Sequence, residues 1–483
     1  MSPSVKSFDK DKYKSLMDGC ECSEVLLSEL IQTRRMDAEY YSKEYICETH
    51  RLLDCKYFKV KTYYSVTDGE HGSVEYLEEG VKYLTAENIK KGYVDLSKIR
   101  YVSEEVDKRN ARASVREGDI LISIKGTLGS IAIATSDLLP CNMNRDVAII
   151  KPLNRASNSN YFTALFLMSK YGSLQSQRGG SGGVQQMITL GRLREFIIPE
   201  FSDSFYLKLK NAYEKFLDLM RDSVTMFKAA EEYLLNQLHV DMTSISNSGI
   251  AIKSYADSFG NTGRFDAEYY QRKNYDIIER LNSKGTIRTL CNIYDKSFTP
   301  ETDKQYQYIE LANIGKIGEI EDVDFVLGKD LPSRARRLVK RGQVIVSSVE
   351  GSLESCALVT DFYDNALCST GFYVLDSDNY NSETLLVLLK SKPIQALLKR
   401  GCSGTILTNI INKEFFDIPL PEISIATQEA VKDKVKNVYD LRDKGYKILE
   451  CAKLAVEKAI EQDEIIATEW LEKEVLQLTK TEP

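Results

Sequence analysis

Histidine is nearly missing from this sequence: His50, His71 and His239 are the three in 483 residues, too few for an imidazole-built metal cluster or a histidine relay. Tryptophan occurs once, as Trp470. No Cys-x-x-Cys pair exists, and apart from Cys20 and Cys22 the ten cysteines are scattered singly, several within apolar stretches such as Cys356 and Cys368. That distribution reads as reduced core thiols, not as disulfides or a zinc site. No apolar run follows Met1, and the longest one, near Phe162 to Met168, is far too short to span a bilayer, so a cytoplasmic protein is expected. With 64 Lys and Arg against 71 Asp and Glu, the net charge of −7 excludes a uniformly basic coat but leaves room for a basic face offset elsewhere.

Catalytic signatures are also wanting. No Asp/Asn-Pro-Pro-(Tyr/Phe) tetrapeptide, no Gly-x-Gly cofactor loop after a strand and no Gly-x-x-x-x-Gly-Lys-(Ser/Thr) loop occurs. Ser258-Phe-Gly-Asn-Thr-Gly263 lies in a linker, and Pro300-Glu-Thr-Asp-Lys304 reads as a polar turn. The chain is therefore expected to be non-catalytic and to hold no cofactor or metal.

What the sequence does contain is a duplication. Arg35-Met-Asp-Ala-Glu-Tyr-Tyr41 returns as Arg264-Phe-Asp-Ala-Glu-Tyr-Tyr270, six identities in seven positions. Tyr83-Leu-Thr-Ala-Glu-Asn-Ile89 is echoed by Tyr308-Ile-Glu-Leu-Ala-Asn-Ile314, Val115, Gly118, Ser123 and Gly126 by Val339, Gly342, Ser347 and Gly351, and Arg178-Gly-Gly-Ser-Gly182 by Arg400-Gly-Cys-Ser-Gly404. Two copies of one unit of roughly 225 residues follow, each long enough for its own core. Tyr76 to Leu84, Tyr93 to Val102, Asp119 to Ile124, Ser130 to Ala134 and Asp146 to Ile150 read as strands, and Tyr161 to Tyr171 as a helix before the Gly-rich loop Arg178 to Gly183. The fold class is α+β with a curled, mostly antiparallel sheet.

Each copy closes on Ile-Pro followed by a long helix. Ser204 to Leu238 has neither Pro nor Gly and carries Phe205, Leu209, Ala212, Phe216, Leu219, Met226, Ala230 and Tyr233 in steps of four and three, except where Ser223 interrupts. Thr427 to about Leu478 places Val431, Val435, Val438, Leu449, Ala452, Val456, Ala459, Ile466 and Trp470 on one seam, interrupted at Arg442, Gly445 and Asp463. Two such helices bury their stripes against each other. An antiparallel pair separates the globular units and a parallel pair sets them side by side; the length of the link after Leu238 favours the former. The division read from sequence is 1–202, helix 203–242, linker and second domain 243–426, helix 427–483.

The repeated motif, Glu117-Gly-Asp-Ile-Leu-Ile-Ser123, Gly126-Thr-Leu-Gly129 and the Ile-Pro closure resemble the specificity subunits of type I restriction-modification systems, in that family's order over essentially the whole chain. The resemblance implies two target recognition domains reading double-stranded DNA as an asymmetric bipartite sequence, and recruitment of two methyltransferase subunits that carry S-adenosylmethionine, with translocating restriction subunits where cleavage is required. Base reading needs Arg, Lys, Asn or Gln in the major groove and other cations at phosphates. Candidates in the first unit are Lys90, Lys91, Lys125, Arg145, Arg178 and Gln185, with His71 in a polar turn. In the second unit Arg334, Arg336, Arg337 and Arg341 form the densest basic patch, with Arg400 beside it. The duplicated Asp37, Glu39, Tyr40 and Asp266, Glu268, Tyr269 are expected to dock a partner, the tyrosines packing on the sheet. A coiled-coil scaffold that binds proteins without reading DNA, or a self-sufficient nuclease or methyltransferase, are the competing classes.

Overall fold

Alternating apolar residues around the Gly118 turn set the architecture of each half in the computed structural model, which describes residues 9–20, 22–33, 36–125, 129–154, 158–179, 187–243, 250, 252–321, 323–403 and 408–480. The chain divides into two units, Met1–Asp218 with Lys444–Pro483, and Leu219–Asp443. In the first, Ile120–Ser123 lies between Val147–Pro152 and Ile131–Ile133, with Tyr64–Asp68 on the outer side of Val147–Pro152, all antiparallel. Every residue of Ile120–Ser123 is buried, as its unbroken apolar run requires. A second sheet sets Val81–Leu84 antiparallel to Arg100–Val102 and parallel to Cys141–Met143. Tyr57–Lys59 pairs with Ile197–Pro199 and ties the start of the domain to the segment before the long helix.

The second unit repeats this plan. Val344–Ser347 lies between Phe372–Asp376 and Cys356–Leu358, with Asn292–Ile293 outermost. Its second sheet runs Phe325–Leu327, Gln305–Ile309, Leu367–Ser369, Ala335–Leu338, and Ser283–Thr286 pairs with Pro419–Pro421. The turn glycines Gly118 and Gly342 share left-handed φ values of 80° and 84°, which explains why glycine stands at both. Among the described residues each half thus holds two sheets of three or four strands besides two-stranded pairs, where the sequence pointed to one curled sheet. Of Tyr76 to Leu84 only Val81–Leu84 is strand, because Glu78-Glu79-Gly80 turns the chain. The predicted helix Tyr161 to Tyr171 is two helices, Ser159–Met168 and Lys170–Gly179, so Arg178 sits in a last helical turn and not in a loop.

The long helices are Asp203–Gln237 and Ile425–Glu461, followed by Glu464–Thr479, which Asp463 caps by accepting from the amides of Ile465 and Ile466. Each contributes a half to each unit. In the first unit Ser202 hydrogen-bonds Glu464 while Phe216 faces Tyr446 at 5.9 Å, so one helix advances as the other recedes, antiparallel. In the second, Phe227 and Leu234 share one core with Val431, Val435 and Val438. The seam holds except at Ile466, which is 47% exposed because it follows the break at Asp463.

The seat of each domain on the long helices is duplicated too, one bond reaching its own helix and one the other copy's. Tyr213 donates to the Gly92 carbonyl (2.6 Å), and Tyr439 to that of Gly318 (3.1 Å). Lys170 N–H donates to Glu457 (2.7 Å), and Lys392 N–H to Glu231 (2.9 Å). Beside these bonds the chemistry diverges. Tyr93 meets Phe216 edge-on at 6.5 Å in the first unit. The second unit has Glu319 against Arg442 (2.9 Å), with Glu321 on the same guanidinium, all but buried.

Candidate nucleic-acid interface

Basic side chains gather in the second unit on the sheet containing the parallel pair, and in the first unit on a helical turn. In the second unit the edge strand Ala335–Leu338 carries the patch. Ala335 is buried while Arg336 and Arg337 are half-buried, and a register shift between Ala335 and Arg337 interrupts simple alternation. Arg334 is exposed at the head of the strand, bonded to Glu310 (2.9 Å) and to the Tyr308 hydroxyl (3.3 Å). Arg336 donates to the Ser333 carbonyl, and Arg341 pairs with Asp361 at 2.8 Å. Arg337 Nη1 is buried without a hydrogen-bond partner. The exposed ion pairs here are individually weak, worth ~0.2–1 kcal/mol, so phosphates can displace their carboxylates.

The counterpart in the first unit is the turn of Glu104–Arg109 and Ala111–Ala113. Arg109 pairs with Glu70 at 3.2 Å and Arg112 with Asp68 at 3.4 Å; both side chains are more than half exposed. His71 bonds the same Asp68 at 2.9 Å, and exposed Arg145 stands alongside, its amide donating to the Glu70 carbonyl. The Gly72 amide and Arg109 hold the Glu70 carboxyl below the ordinary value, so it remains an anion in this cluster. Arg109 and Arg112 were missed from sequence, although Lys108-Arg-Asn-Ala-Arg112 aligns with Pro332-Ser-Arg-Ala-Arg336 once the two copies are laid over each other, which sets Arg112 on Arg336.

The remaining predicted cations lie elsewhere. Lys125 is half-buried next to Ser123, whose hydroxyl donates to the Lys125 carbonyl. Lys90 and Lys91 belong to the loop that seats on the long helices through Gly92. Gln185 lies outside the described residues. Arg178 and Arg400 stack on tyrosines: the Arg178 Cζ is 3.7 Å from the Tyr40 ring centre and 3.5 Å from that of Tyr45, and Arg400 is 4.1 Å from Tyr269.

Those tyrosines correct another expectation. Tyr40 and Tyr269 are buried, 8% and 7% exposed, and pack against arginines rather than on a sheet. Burial pushes the Tyr269 phenol up to about 12, so it stays a donor, here to Glu414 (3.2 Å). Asp37, Asp266 and Glu268 are exposed; Asp266 is clasped by Arg264, which holds its carboxyl below the ordinary value. The Glu39 side chain lies outside what is described. Among the described residues no group of three His, Cys, Asp or Glu is arranged to hold a metal, and no helix is long and apolar enough to cross a membrane.

Comparison with known proteins addresses the same stretch. Residues 56–199 match the model of the type I restriction modification DNA specificity domain. A 76-residue segment is 37% identical to the Type I restriction enzyme EcoBI specificity subunit of Escherichia coli, a match spanning 16% of this chain and 16% of that subunit. Among solved structures, the S subunit of a type I restriction-modification system from M. genitalium aligns over 89% of this chain and 96% of its own at 13% identity and a TM-score of 0.31. The HsdS subunit from Thermoanaerobacter tengcongensis aligns over 87% and 96% at 13% identity and a TM-score of 0.26. Residues 56–199 are thus similar to the type I restriction modification DNA specificity domain.

Proposed function

We propose that this chain is the non-catalytic DNA-reading subunit of a cytoplasmic type I restriction-modification complex. Each globular domain reads one half of an asymmetric, bipartite duplex sequence, and the long helices set the unread gap. The observation that carries this reading is the duplication itself: a specificity domain matched over residues 56–199, followed by a second copy whose first sheet has the same four-strand order. The basic faces of Arg109, Arg112 and Arg145, and of Arg334, Arg336, Arg337 and Arg341, approach the DNA, with Lys90, Lys91, Lys125 and Gln185 as further contacts. Asp37, Glu39, Asp266 and Glu268 dock two methyltransferase subunits, which bring S-adenosylmethionine; restriction subunits join where cleavage occurs. Salt should weaken binding steeply, because each phosphate neutralised contributes a slope of about −0.9.

Selection of random duplexes on the chain with its methyltransferase partner tests this. Two half-sequences at fixed spacing are expected. Seven residues inserted into each long helix add about 10 Å, and the preferred gap should grow by about three base pairs with both halves unchanged. Unchanged spacing defeats the gap-setting role; failure to enrich any sequence defeats the reading and favours a protein scaffold.

A further inference from the structure

In both units the described residues on either side of the Gly-rich stretch are held in place, on one side by an arginine on aromatic rings. Arg178, in the last turn of Lys170–Gly179, lies between the Tyr40 and Tyr45 rings, which are 28° from parallel with centres 6.5 Å apart. Its Nε is buried without a hydrogen-bond partner, so ring faces, rather than an acceptor, hold that part of the guanidinium. On the far side of the stretch, Ile188 N–H donates to the Ile124 carbonyl at 3.2 Å. In the second unit Arg400, in the last turn of Lys392–Arg400, lies 4.1 Å from the Tyr269 ring and 5.3 Å from that of Tyr275, and its Nε donates to the Tyr269 carbonyl at 3.1 Å. There the far end is held by Ile410 N–H on the Ser348 carbonyl (2.8 Å). The aromatic partners come from the Arg-x-Asp-Ala-Glu-Tyr-Tyr motif and the residues just after it, which explains why arginine and motif are duplicated together.

We propose that Arg178 and Arg400 are positioning residues: each anchors the helix leading into its Gly-rich stretch to the repeated motif, and each influences one half of the DNA sequence through that anchorage alone. This rests on the DNA-reading function above. A guanidinium spent on two aromatic faces is poorly placed to add a phosphate contact, whereas Arg109, Arg112 and Arg334 are more than half exposed.

The test uses the full-length chain with its partner and the duplex enriched by selection. Arg178→Met and Tyr45→Leu should weaken binding equally, about tenfold, which is ~1.4 kcal/mol, and only on duplexes whose first half-sequence is intact. The double variant should be no weaker than either single one, and the slope of log K against log salt should not change. Arg400→Met and Tyr269→Leu should do the same for the other half-sequence. Arg178→Lys should not rescue, because an ammonium keeps the charge but loses the planar stack. A slope shallower by about 0.9 in Arg178→Met, with Tyr45→Leu neutral, would overturn the proposal in favour of a direct phosphate contact. Thermolysin cleavage between 179 and 188 reads the anchorage without DNA: it should accelerate in both single variants, and unchanged cleavage also overturns the proposal. If the parent enriches no sequence while cleavage responds as described, the DNA-reading function has failed and the anchorage has not.

Discussion

Replacing Tyr213 with phenylalanine removes one oxygen atom and should cost far more than the same change at Tyr439. The Tyr213 ring is fully buried, and its hydroxyl donates to the Gly92 carbonyl (2.6 Å) while accepting from the Ile133 amide (3.1 Å). Burial pushes the phenol well above its ordinary value, so the proton stays in place at any working pH. Phenylalanine leaves an amide and a carbonyl buried without those bonds, at ~1–3 kcal/mol each, so Tyr213→Phe should cost ~2–6 kcal/mol. Tyr439 makes one bond, to the Gly318 carbonyl, and that carbonyl also accepts from Leu358 N–H at 3.0 Å. Nothing is orphaned there, and Tyr439→Phe should cost ~0.5–1.5 kcal/mol. Urea unfolding followed by circular dichroism gives the totals, and hydrogen exchange of the peptide holding Ile133 localises the effect to the first unit. A Tyr213→Phe protein within ~0.5 kcal/mol of the parent, with the Ile133 amide still protected, refutes the accounting.

Gly92→Ala should destabilise by ~2–4 kcal/mol, since its φ is +87° and a Cβ would lie 2.7 Å from both Phe216 and Leu449; a thermal midpoint equal to the parent's contradicts this. Arg442→Met should cost ~3–5 kcal/mol by leaving Glu319 buried without its cation, and adding Glu319→Met should recover most of it, as a double-mutant cycle will show. The Lys170 ammonium holds the Glu461 carboxyl below its ordinary value, so this pair adds stability above the unfolded carboxylate range and loses it as pH falls through the lower, folded value. Glu461→Gln should therefore lose under ~1 kcal/mol at pH 7 and nothing near pH ~3, read by parallel urea titrations. Maleimide at pH 8 should label exposed Cys20 and Cys47 quickly, while Cys141, Cys356, Cys368 and Cys402 react only after denaturation, as burial pushes the Cys356 thiol up to about 11 and the Cys368 thiol up to about 12; rapid labelling of Cys368 in the folded chain would contradict that burial.

The features legible in the sequence are those that rest on periodicity or on identity between copies. Ser204 to Leu238 could be read as one helix because its apolar steps break only at Ser223, and the strand around Ile120 because three apolar residues follow a Gly-Asp turn. Tyr64–Asp68 escaped notice because its alternation is short and the neighbouring Val60–Tyr63 is helical. Arg442 stood out as a break in the seam, yet its partners Glu319 and Glu321 lie more than 120 residues away and nothing local marks them. Arg178 looked like a loop cation for the same reason: the rings that hold it, Tyr40 and Tyr45, are over 130 residues upstream. Arg334 to Arg341 was conspicuous by density alone, whereas Arg109 and Arg112 are diluted by acidic neighbours.

The unlike seats, Tyr93 on Phe216 and Glu319 on Arg442, bear on how such a gene can be shuffled. Each of these two contacts lies within one copy, although the bonds of Lys170 to Glu457 and Lys392 to Glu231 cross between copies, so an exchange that carries a globular domain together with the helix that follows it moves both halves of the unlike contact at once. A crossover at the Ile-Pro junction instead would graft residues 252–421 onto Asp203–Gln237 and bring a carboxylate to Phe216, with no guanidinium to receive it. Viable hybrids should consequently be spliced beyond the helices, in the Ser- and Asn-rich link, and those spliced at Ile-Pro should need a compensating change at Glu319.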